Sequence, residues 1–537
     1  MKLNIRVSPA LGMNSTADIV ADTFAKLYEV ITNIEYQSVI KLNHFDVNIS
    51  DANKSLSKYA DILVVFDDKN LEKNLPTLRA GAFIISNKKF VDKLVTKVDL
   101  SNYKVLDIEI VDKYDNTYLL ILFKLILSVE TSFQSIEHTF AKKDEIVKKN
   151  KDIVEDIYKN YDLKDTKSYN LNVNSKTVSF GNSMIAYGAI DNLEFYSAYP
   201  MTPASTILSE VINSKKVNYL QAEDEIAVIN AALASFTARS MVTSGFALMT
   251  EALSFALQAE IPIVAVLAQR APSTTPTCLE QDINFALNPT FDFEHIVLIP
   301  ATMEDYFMSG LALNLAQKYQ TIVIVLIDKQ FSEGKSSFSE LKTPIERKLQ
   351  ENPKEDYKRF ELTDDISPYT KPTKNGDFIS TSYEHDEYST TEDSEMKVLM
   401  TEKRAKKLQN FYEKENFRGY EVYPALPPAV SMPSKNINIT KPKKYIITTS
   451  FISYTAKQFV DDNHEYLITI KFLKPLDERI LKVIKDCEEI IFVEHNYSQI
   501  ETYLTDKLLK FIDLKISHLR KYDLMPFYIE DFYKLKQ

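Results

Sequence analysis

The sequence predicts an α/β fold, and three observations predict it. Short runs of aliphatic and β-branched residues recur along the chain, each is followed by polar or turn residues, and longer stretches of helical periodicity separate them. Runs that are nearly continuous in apolar residues belong to strands buried on both faces, as in a parallel sheet with helical crossovers. In chain order the strand candidates are 61–66 (DILVVF), 261–267 (IPIVAVL), 296–299, 322–327 (IVIVLI), 445–448, 467–470 and 489–493.

Two stretches break this rhythm. Residues 142–176 are rich in Lys, Asp and Asn and lose the strand pattern, which predicts a helical linker. Residues 351–444 are polar, contain PALPPAVSMPSK, and predict a connector with one charged helix around 397–412. Domains are therefore expected at 1–145, 178–345 and 440–537, with a linker at 146–177 and a connector at 346–439. A chain of 537 residues suits about three domains.

Composition narrows the function classes. Hydrophobic residues at 45% and charged residues at 26% are ordinary for a globular protein, and a formal net charge of −11 argues against a nucleic-acid surface. MKLNIRVSPALG lacks the apolar core of a signal peptide, and TYLLILFKLILSV (117–129) is short for a bilayer and contains Lys124. It is expected to be a buried helix or strand, in a cytoplasmic protein with no membrane association. Cys278 and Cys487 form no CxxC pair, so an iron–sulfur cluster would have to sit on another subunit. Glycine is scarce: ordinary usage would give about 38 residues, and the chain has nine.

The central domain carries the most informative segments: YPMTP (199–203), QAEDEIAVINAALAS (221–235), TSGFALMTEAL (243–253) and AEIPIVAVLAQRAPSTTPTCLEQD (259–282). The prolines of YPMTP fix φ on either side of Thr202, so the turn either aims a hydroxyl at a ligand or caps the helix that follows; spacing alone favours the cap. Glu223, Asp224 and Glu225 precede an apolar helix. They either complement its dipole or include one buried carboxylate kept for acid–base work. Arg270 directly follows an apolar strand, at the edge where α/β folds bind ligands, and either clamps a carboxylate or sits on the surface.

Together these segments resemble the α subunits of the 2-oxoacid:ferredoxin oxidoreductases, whose pyrimidine-binding domain carries Y-P-I-T-P, A-E-D-E-I and Q-R-G-G-P-S-T. The likeness continues in SYEHDEYSTTEDSEMKVLMTEKRAKKL (382–408), similar to the family's E-H-D-E-Y…T-E-D…K-R, and in IIFVEHNYSQIETYL (490–504), similar to V-E-N-N-Y-S-G-Q-L. The segment from NIRVSPALG to EYQSVIKLNHFDVNIS is similar to the γ domain that some members fuse ahead of α. Nearly the whole chain is covered.

The resemblance implies a γ-type α/β domain, a thiamine-diphosphate-enzyme pyrimidine-type α/β domain and a transketolase-C-like α/β domain. By position, Thr202 matches the threonine that contacts substrate near the thiazolium ring, Glu223 the glutamate that activates the aminopyrimidine, and Arg270 the arginine that holds the 2-oxoacid carboxylate. Tyr199 and Pro200 join Glu223 in the cofactor site. The diphosphate, Mg2+ and a 4Fe–4S cluster are expected on a β subunit, with the active site at the α–β interface. The implied reaction joins 2-oxoacid, coenzyme A and oxidised ferredoxin to give acyl-CoA, carbon dioxide and reduced ferredoxin. Fusion of γ ahead of α favours 2-oxoglutarate as substrate. The alternative is a catalytically silent scaffold that pairs with β.

The departures from the family pattern concern glycine. VSPALGMNSTADIV (7–20) stands for the loop I-G-G-x-G-G-Q-G, TSGF for T-S-G-P-G-F, QRAPSTTPT for Q-R-G-G-P-S-T-G-L-P-T, and NYSQI for N-Y-S-G-Q-L. Cys278 stands where relatives carry Arg or another large polar residue. Decay would substitute glycines and erode their neighbours, whereas here they are often missing with their neighbours in order. That pattern favours a stop codon read as glycine and skipped in the written sequence. Coding DNA without stop codons at these gaps would exclude it.

Overall fold

The computed structural model describes residues 2–7, 13–25, 28–35, 44–65, 68–95, 99–108, 137, 143–160, 177–200, 204–235, 237, 239–243, 245–269, 282–289, 294–338, 356–363, 366–370, 380–381, 383–426, 442–509, 514–523 and 525–536. Three sheets organise them, and the α/β class expected from the sequence is observed.

One compact unit comprises Met1–Ser179, Gly334–Glu340 and Phe527–Gln537. Its eight-stranded sheet contains β1 (Lys2–Val7), β2 (Glu29–Glu35), β3 (His44–Ser50), β4 (Ala60–Val64), β5 (Leu78–Asn87), β6 (Lys104–Ile108) and β7 (Thr177–Phe180). The eighth strand, Lys335–Phe338, lies between β2 and β7. Strands β1, β4, β5 and β6 pair in parallel, while β3 runs antiparallel between β1 and β2. Every residue of β3 is buried, Asp46 included, so its charge needs a partner. Arg6, directly opposite on β1, donates Nε to Oδ1 at 2.7 Å and Nη2 to Oδ2 at 2.8 Å. Burial alone would raise the Asp46 carboxyl, but the Arg6 guanidinium and His44 beside it hold it well below the usual range. The segment from residue 527 onward closes the unit. The N–H of Ile529 donates to the Leu56 carbonyl at 2.8 Å, and Glu530 accepts from Ser57 Oγ at 2.8 Å and the Lys58 N–H at 3.0 Å.

The second unit, Phe180–Glu333 with Leu341–Pro526, contains two sheets. The central one is built from β8 (Phe195–Ala198), β9 (Asn218–Gln221), β10 (Ser240–Thr243), β11 (Ile263–Ala268), β12 (Ile296–Leu298) and β13 (Ile322–Ile327), paired in parallel throughout. With Lys335–Phe338 counted as β14, the remaining strands are β15 (Tyr420–Tyr423), β16 (Lys444–Thr449), β17 (Leu467–Ile470), β18 (Phe472–Lys474), β19 (Glu489–Glu494) and β20 (Lys515–Arg520). The central order is β18-β12-β13-β11-β10-β8-β9, and the C-terminal order is β15-β17-β16-β19-β20. All seven strand candidates are strands. Elements nonetheless cross the expected domain borders. β15 falls in the expected connector, β18 adds antiparallel to β12 of the central sheet, and β14 pairs with β2. The helix Asp144–Asn160 occupies the expected linker, and the run 117–129 lies outside the described residues. Among the described residues no helix is long and apolar enough to cross a membrane.

The few glycines include some that the packing demands. In the crossing of helices Gly181–Ile190 and Met308–Tyr319, a Cβ on Gly310 would stand 2.5 Å from the carbonyl oxygen of Gly188. Elsewhere, bulkier residues take the left-handed conformation glycine usually fills. Lys215, Gln320, Asn416 and His464 close their helices at φ 56, 47, 53 and 55, and Ser498 of NYSQI has φ 65. Side-chained residues adopt that region at a cost of roughly 1 kcal/mol each.

The expected charged helix of the connector is two helices, Ser394–Lys406 and Phe411–Glu415. Its anchor is Glu260, fully buried ahead of β11. Lys403 Nζ lies 2.7 Å from Oε1, Lys407 Nζ 2.5 Å from Oε2, and Arg359 Nη2 donates to the Glu260 carbonyl at 2.6 Å. Burial would raise the Glu260 carboxyl, but Lys407, Lys403 and Arg359 hold it well below its ordinary value. Replacing Glu260 with Gln leaves buried cations without a counter-charge. Glu260→Gln should therefore lower the urea-unfolding free energy at pH 7 by about 3–5 kcal/mol. Glu402→Gln, on the exposed side of the same connector helix, should change it by less than about 1 kcal/mol.

Candidate active site at the carboxyl edge of the central sheet

The register of the central sheet decides which residues meet. Ala198 of β8 pairs with Gln221 of β9 and with Thr243 of β10, and Thr243 pairs with Val266 of β11. Three adjacent strands thus end on one rung, and β11 runs on to Ala268. At about 4.8 Å per strand interval, the ends of β8 and β11 are about 10 Å apart. Tyr199 and Pro200 follow β8, Glu223 follows β9 and Gln269 follows β11, all at the edge where open α/β sheets bind ligands.

Tyr199 is half-buried against the apolar core and Pro200 is exposed. Thr202, Arg270 and Cys278 lie outside the described residues. The helix after the YPMTP turn, Ser205–Ser214, has Ala204 as its N-cap and no side-chain cap hydrogen bond, so its cap residue is not a hydroxyl. Beneath the edge, the hydroxyls of Tyr196 and Thr243 meet in the core, and burial pushes the Tyr196 hydroxyl above the tyrosine range.

The three acidic residues divide their work. Asp224, extended at φ −155, is the N-cap of helix Glu225–Ala234, and its Oδ1 accepts from the Ala227 N–H at 2.7 Å. Glu225 lies in the first turn, complementing the dipole. Glu223 stands one residue before the cap. Glu223 is exposed, and β9, which it follows, is the edge strand whose four residues all face solvent. Large apolar side chains are exposed beside it, Tyr219 at 49%, Leu220 at 41% and Ile226 at 51%.

Two glutamines and an aspartate complete the edge, and sequence reasoning passed over their roles. Gln269 is buried; its N–H donates to the Ile327 carbonyl at 2.8 Å and its Oε1 accepts from the Asp282 N–H at 3.1 Å. Asp282 begins the helix Ile283–Leu287 without capping it through its own side chain. Instead the Asn284 N–H donates to Gln499 Oε1 at 2.8 Å. Burial pushes the Asp282 carboxyl up to about 6. Only the recurrence of Gln and Asp in the QR…QD and NYSQI segments signalled these residues. Among the described residues, no group of three or more His, Cys, Asp or Glu is arranged to hold a metal ion.

Comparison with known proteins adds to this geometry. Residues 187–405 match the family described as pyruvate flavodoxin/ferredoxin oxidoreductase, thiamine diP-bdg, and residues 11–160 match pyruvate ferredoxin/flavodoxin oxidoreductase. The chain is 35% identical over 44% of its length to 2-oxoacid:ferredoxin oxidoreductase 2, subunit alpha, of Aeropyrum pernix, spanning 42% of that relative. It is 28% identical over 90% of its length to 2-oxoacid:ferredoxin oxidoreductase 1, subunit alpha, of Sulfurisphaera tokodaii, spanning 89% of it. A solved structure, 2-oxoglutarate:ferredoxin oxidoreductase from Magnetococcus marinus with 2-oxoglutarate, coenzyme A and succinyl-CoA bound, shares the fold. Its TM-score is 0.83 at 24% identity, covering 100% of this chain and 99% of that one.

Asp282 allows a pH test of the edge. Its carboxyl is raised in the folded chain, so folding takes up a proton between the unfolded value near 3.9 and the folded value of about 6. The penalty is complete above that window and vanishes below it. Asp282→Asn should therefore unfold at a higher urea concentration than the parent at pH 7. The difference should shrink as the pH falls towards 4, and a difference independent of pH would contradict the assignment.

Proposed function

The chain belongs to the 2-oxoacid:ferredoxin oxidoreductases as an α subunit with a γ-type segment ahead of it, and from that membership we propose its reaction and the residues that serve it. It is the γα subunit of a cytoplasmic enzyme that oxidatively decarboxylates a 2-oxoacid to acyl-CoA and carbon dioxide. The two electrons released go to ferredoxin through a β subunit that carries Mg2+ and the 4Fe–4S cluster. Thiamine diphosphate, when bound, supplies a nucleophilic carbon and an electron sink.

One observation carries this reading: at the level strand ends of β8, β9 and β10, Asp224 takes the helix cap, and among the described residues none engages the Glu223 carboxylate. A carboxyl that must exchange a proton with the aminopyrimidine nitrogen has to be free of other duties, and among the described residues Glu223 is. Tyr199 and Pro200, on the neighbouring strand end, fit beside it as the cofactor wall. The exposed Tyr219, Leu220 and Ile226 support a subunit interface around Glu223. A β subunit seated there would exclude water from around Glu223. Arg270 then binds the 2-oxoacid carboxylate, and Thr202 donates its hydroxyl to substrate.

Among 2-oxoacids we favour 2-oxoglutarate, on the resemblance to enzymes that fuse γ ahead of α. The test is co-expression with the candidate β subunit and a viologen-reduction assay, with coenzyme A, over a panel of 2-oxoacids. A stable complex that reduces no viologen with any of them would establish the silent-scaffold alternative.

Glu223→Gln should cut turnover by about 10²–10⁴-fold while the β subunit still co-purifies. Wild-type turnover in that variant would move the role to Glu225 or remove it. Arg270→Ala should lower kcat/KM for every 2-oxoacid by about 10²-fold or more, the scale of a broken buried charge pair. Arg270→Lys should recover part of the loss, since it keeps the charge and not the forked geometry. Preference among 2-oxoacids should stay the same.

A further inference from the structure

Where the central sheet, the connector and the C-terminal sheet meet, a cavity of about 410 Å³ opens that the proposed chemistry leaves without a task. Lys474 enters it from β18, which adds antiparallel to β12 and sets Lys474 opposite Val297. The Tyr503 hydroxyl donates to the Leu473 carbonyl at 2.8 Å and fixes the wall beside that strand. The floor is apolar. Leu287 of the central domain, Leu408 of the connector and Leu508 of the C-terminal part are buried there, with Leu476 half-buried beside them. Sites for small molecules occupy about 300–1,000 Å³, and this cavity falls within that range.

Its polar groups carry both signs. Lys474 is half-buried in the wall, with its Nζ 3.7 Å from Glu294 Oε2. That is well beyond the roughly 2.8 Å of a charge-assisted hydrogen bond, so the pair is loose. Burial lowers the Lys474 pKa; Glu294 opposes that shift and Lys507 adds to it, which places both ammonium groups in one region. Lys507 and Leu508 come from a single π-helical turn, Thr505–Leu509, a rare helix form that recurs at functional sites. Glu294 and Glu478 are exposed at the mouth, and among the described residues none engages the Glu478 carboxylate. A simple anion would meet the lysines but also two glutamates, and a simple cation the reverse. A ligand with one charge of each sign and an apolar body meets every feature. The deepest charge is positive, so the ligand's carboxylate belongs inside and its cation at the mouth.

We propose that this cavity binds a large apolar α-amino acid: Lys474 and Lys507 take the carboxylate, Glu478 and Glu294 the ammonium group, and the leucines the side chain. The site is separate from the edge of β8 to β11 and stands whether or not the reading of that edge does. Its ligand touches three parts of the unit at once, so occupancy stabilises the folded chain by mass action.

The probe is L-phenylalanine, titrated into the full chain in a calorimeter. Hydrocinnamate and phenethylamine share its body and each lack one of its charges. Phenylalanine should bind at one site per chain and raise the thermal midpoint, and each analogue should bind more weakly. Lys474→Met removes the ammonium and keeps an unbranched stem. It should weaken phenylalanine binding by roughly 10- to 100-fold, the scale of a hydrogen bond to a charged group. Glu478→Gln alters only an exposed side chain, so the fold should hold. It should weaken phenylalanine binding by up to about fivefold and leave hydrocinnamate binding no weaker. Absence of binding heat with phenylalanine, or equal affinity for all three compounds, would overturn the proposal. So would parental affinity in a folded Lys474→Met chain. If Lys474→Met does not fold, Glu478→Gln decides, and parental affinity for phenylalanine in that variant removes the site.

Discussion

The level ending of β8, β9 and β10 is the constraint on which the candidate site depends. Parallel strands cannot slide by one residue without turning a buried face outward, and each of these strands is locked by neighbours paired in the same direction. β9 is the exception, since it has a neighbour on one side only and no buried residue of its own. Its register is set entirely by β8. Everything that follows the strands, from the turn at Tyr199 to the acidic helix start at Glu223, inherits its position from that alignment.

Strand β11 is held at both ends by groups from outside the central sheet. Ahead of it, Glu260 turns the chain at φ 55 and binds cations from the connector. Beyond it, Gln269 ties the strand end to the helix start at Asp282. The first clamp is strongly charged, with three cations against one carboxylate. Burial lowers the pKa of Lys407, and Glu260 beside it opposes that shift. The second clamp is neutral and made of single hydrogen bonds. The sheet is therefore anchored firmly at the amino edge and more lightly where substrate would bind.

Much of the fold was legible because buried parallel strands announce themselves by continuous apolar runs. Residues 322–327 and 467–470 became strands with the expected limits. Strand β11 starts two residues later than expected, at Ile263, because the left-handed turn at Glu260 precedes it. Short partners were not legible. β15, in a polar connector, is a strand because it adds antiparallel to the edge of β17, and β14 because it pairs with β2 some three hundred residues earlier. Of the site, the strand ends and the acidic cluster could be read from sequence. Which acid caps the helix could not, because that depends on the extended backbone of Asp224. The grip of Gln499 on Asn284 spans 215 positions, and no local pattern encodes it.

The N-terminal unit draws on three separated stretches of chain, and this has a consequence for how the protein is made. Residues up to Ile108 supply six of its strands, yet the Leu56 carbonyl, the Ser57 hydroxyl and the Lys58 N–H also take partners from Ile529 and Glu530. A nascent chain must carry an incomplete sheet through the synthesis of the whole second unit, with β2 lacking its second neighbour until Lys335–Phe338 emerges. Closure of the first-made part thus awaits residues made long afterwards. A chain interrupted before them would keep unpaired edges and exposed polar backbone in its oldest segment, a mark by which chaperones and proteases can tell a finished molecule from an abandoned one.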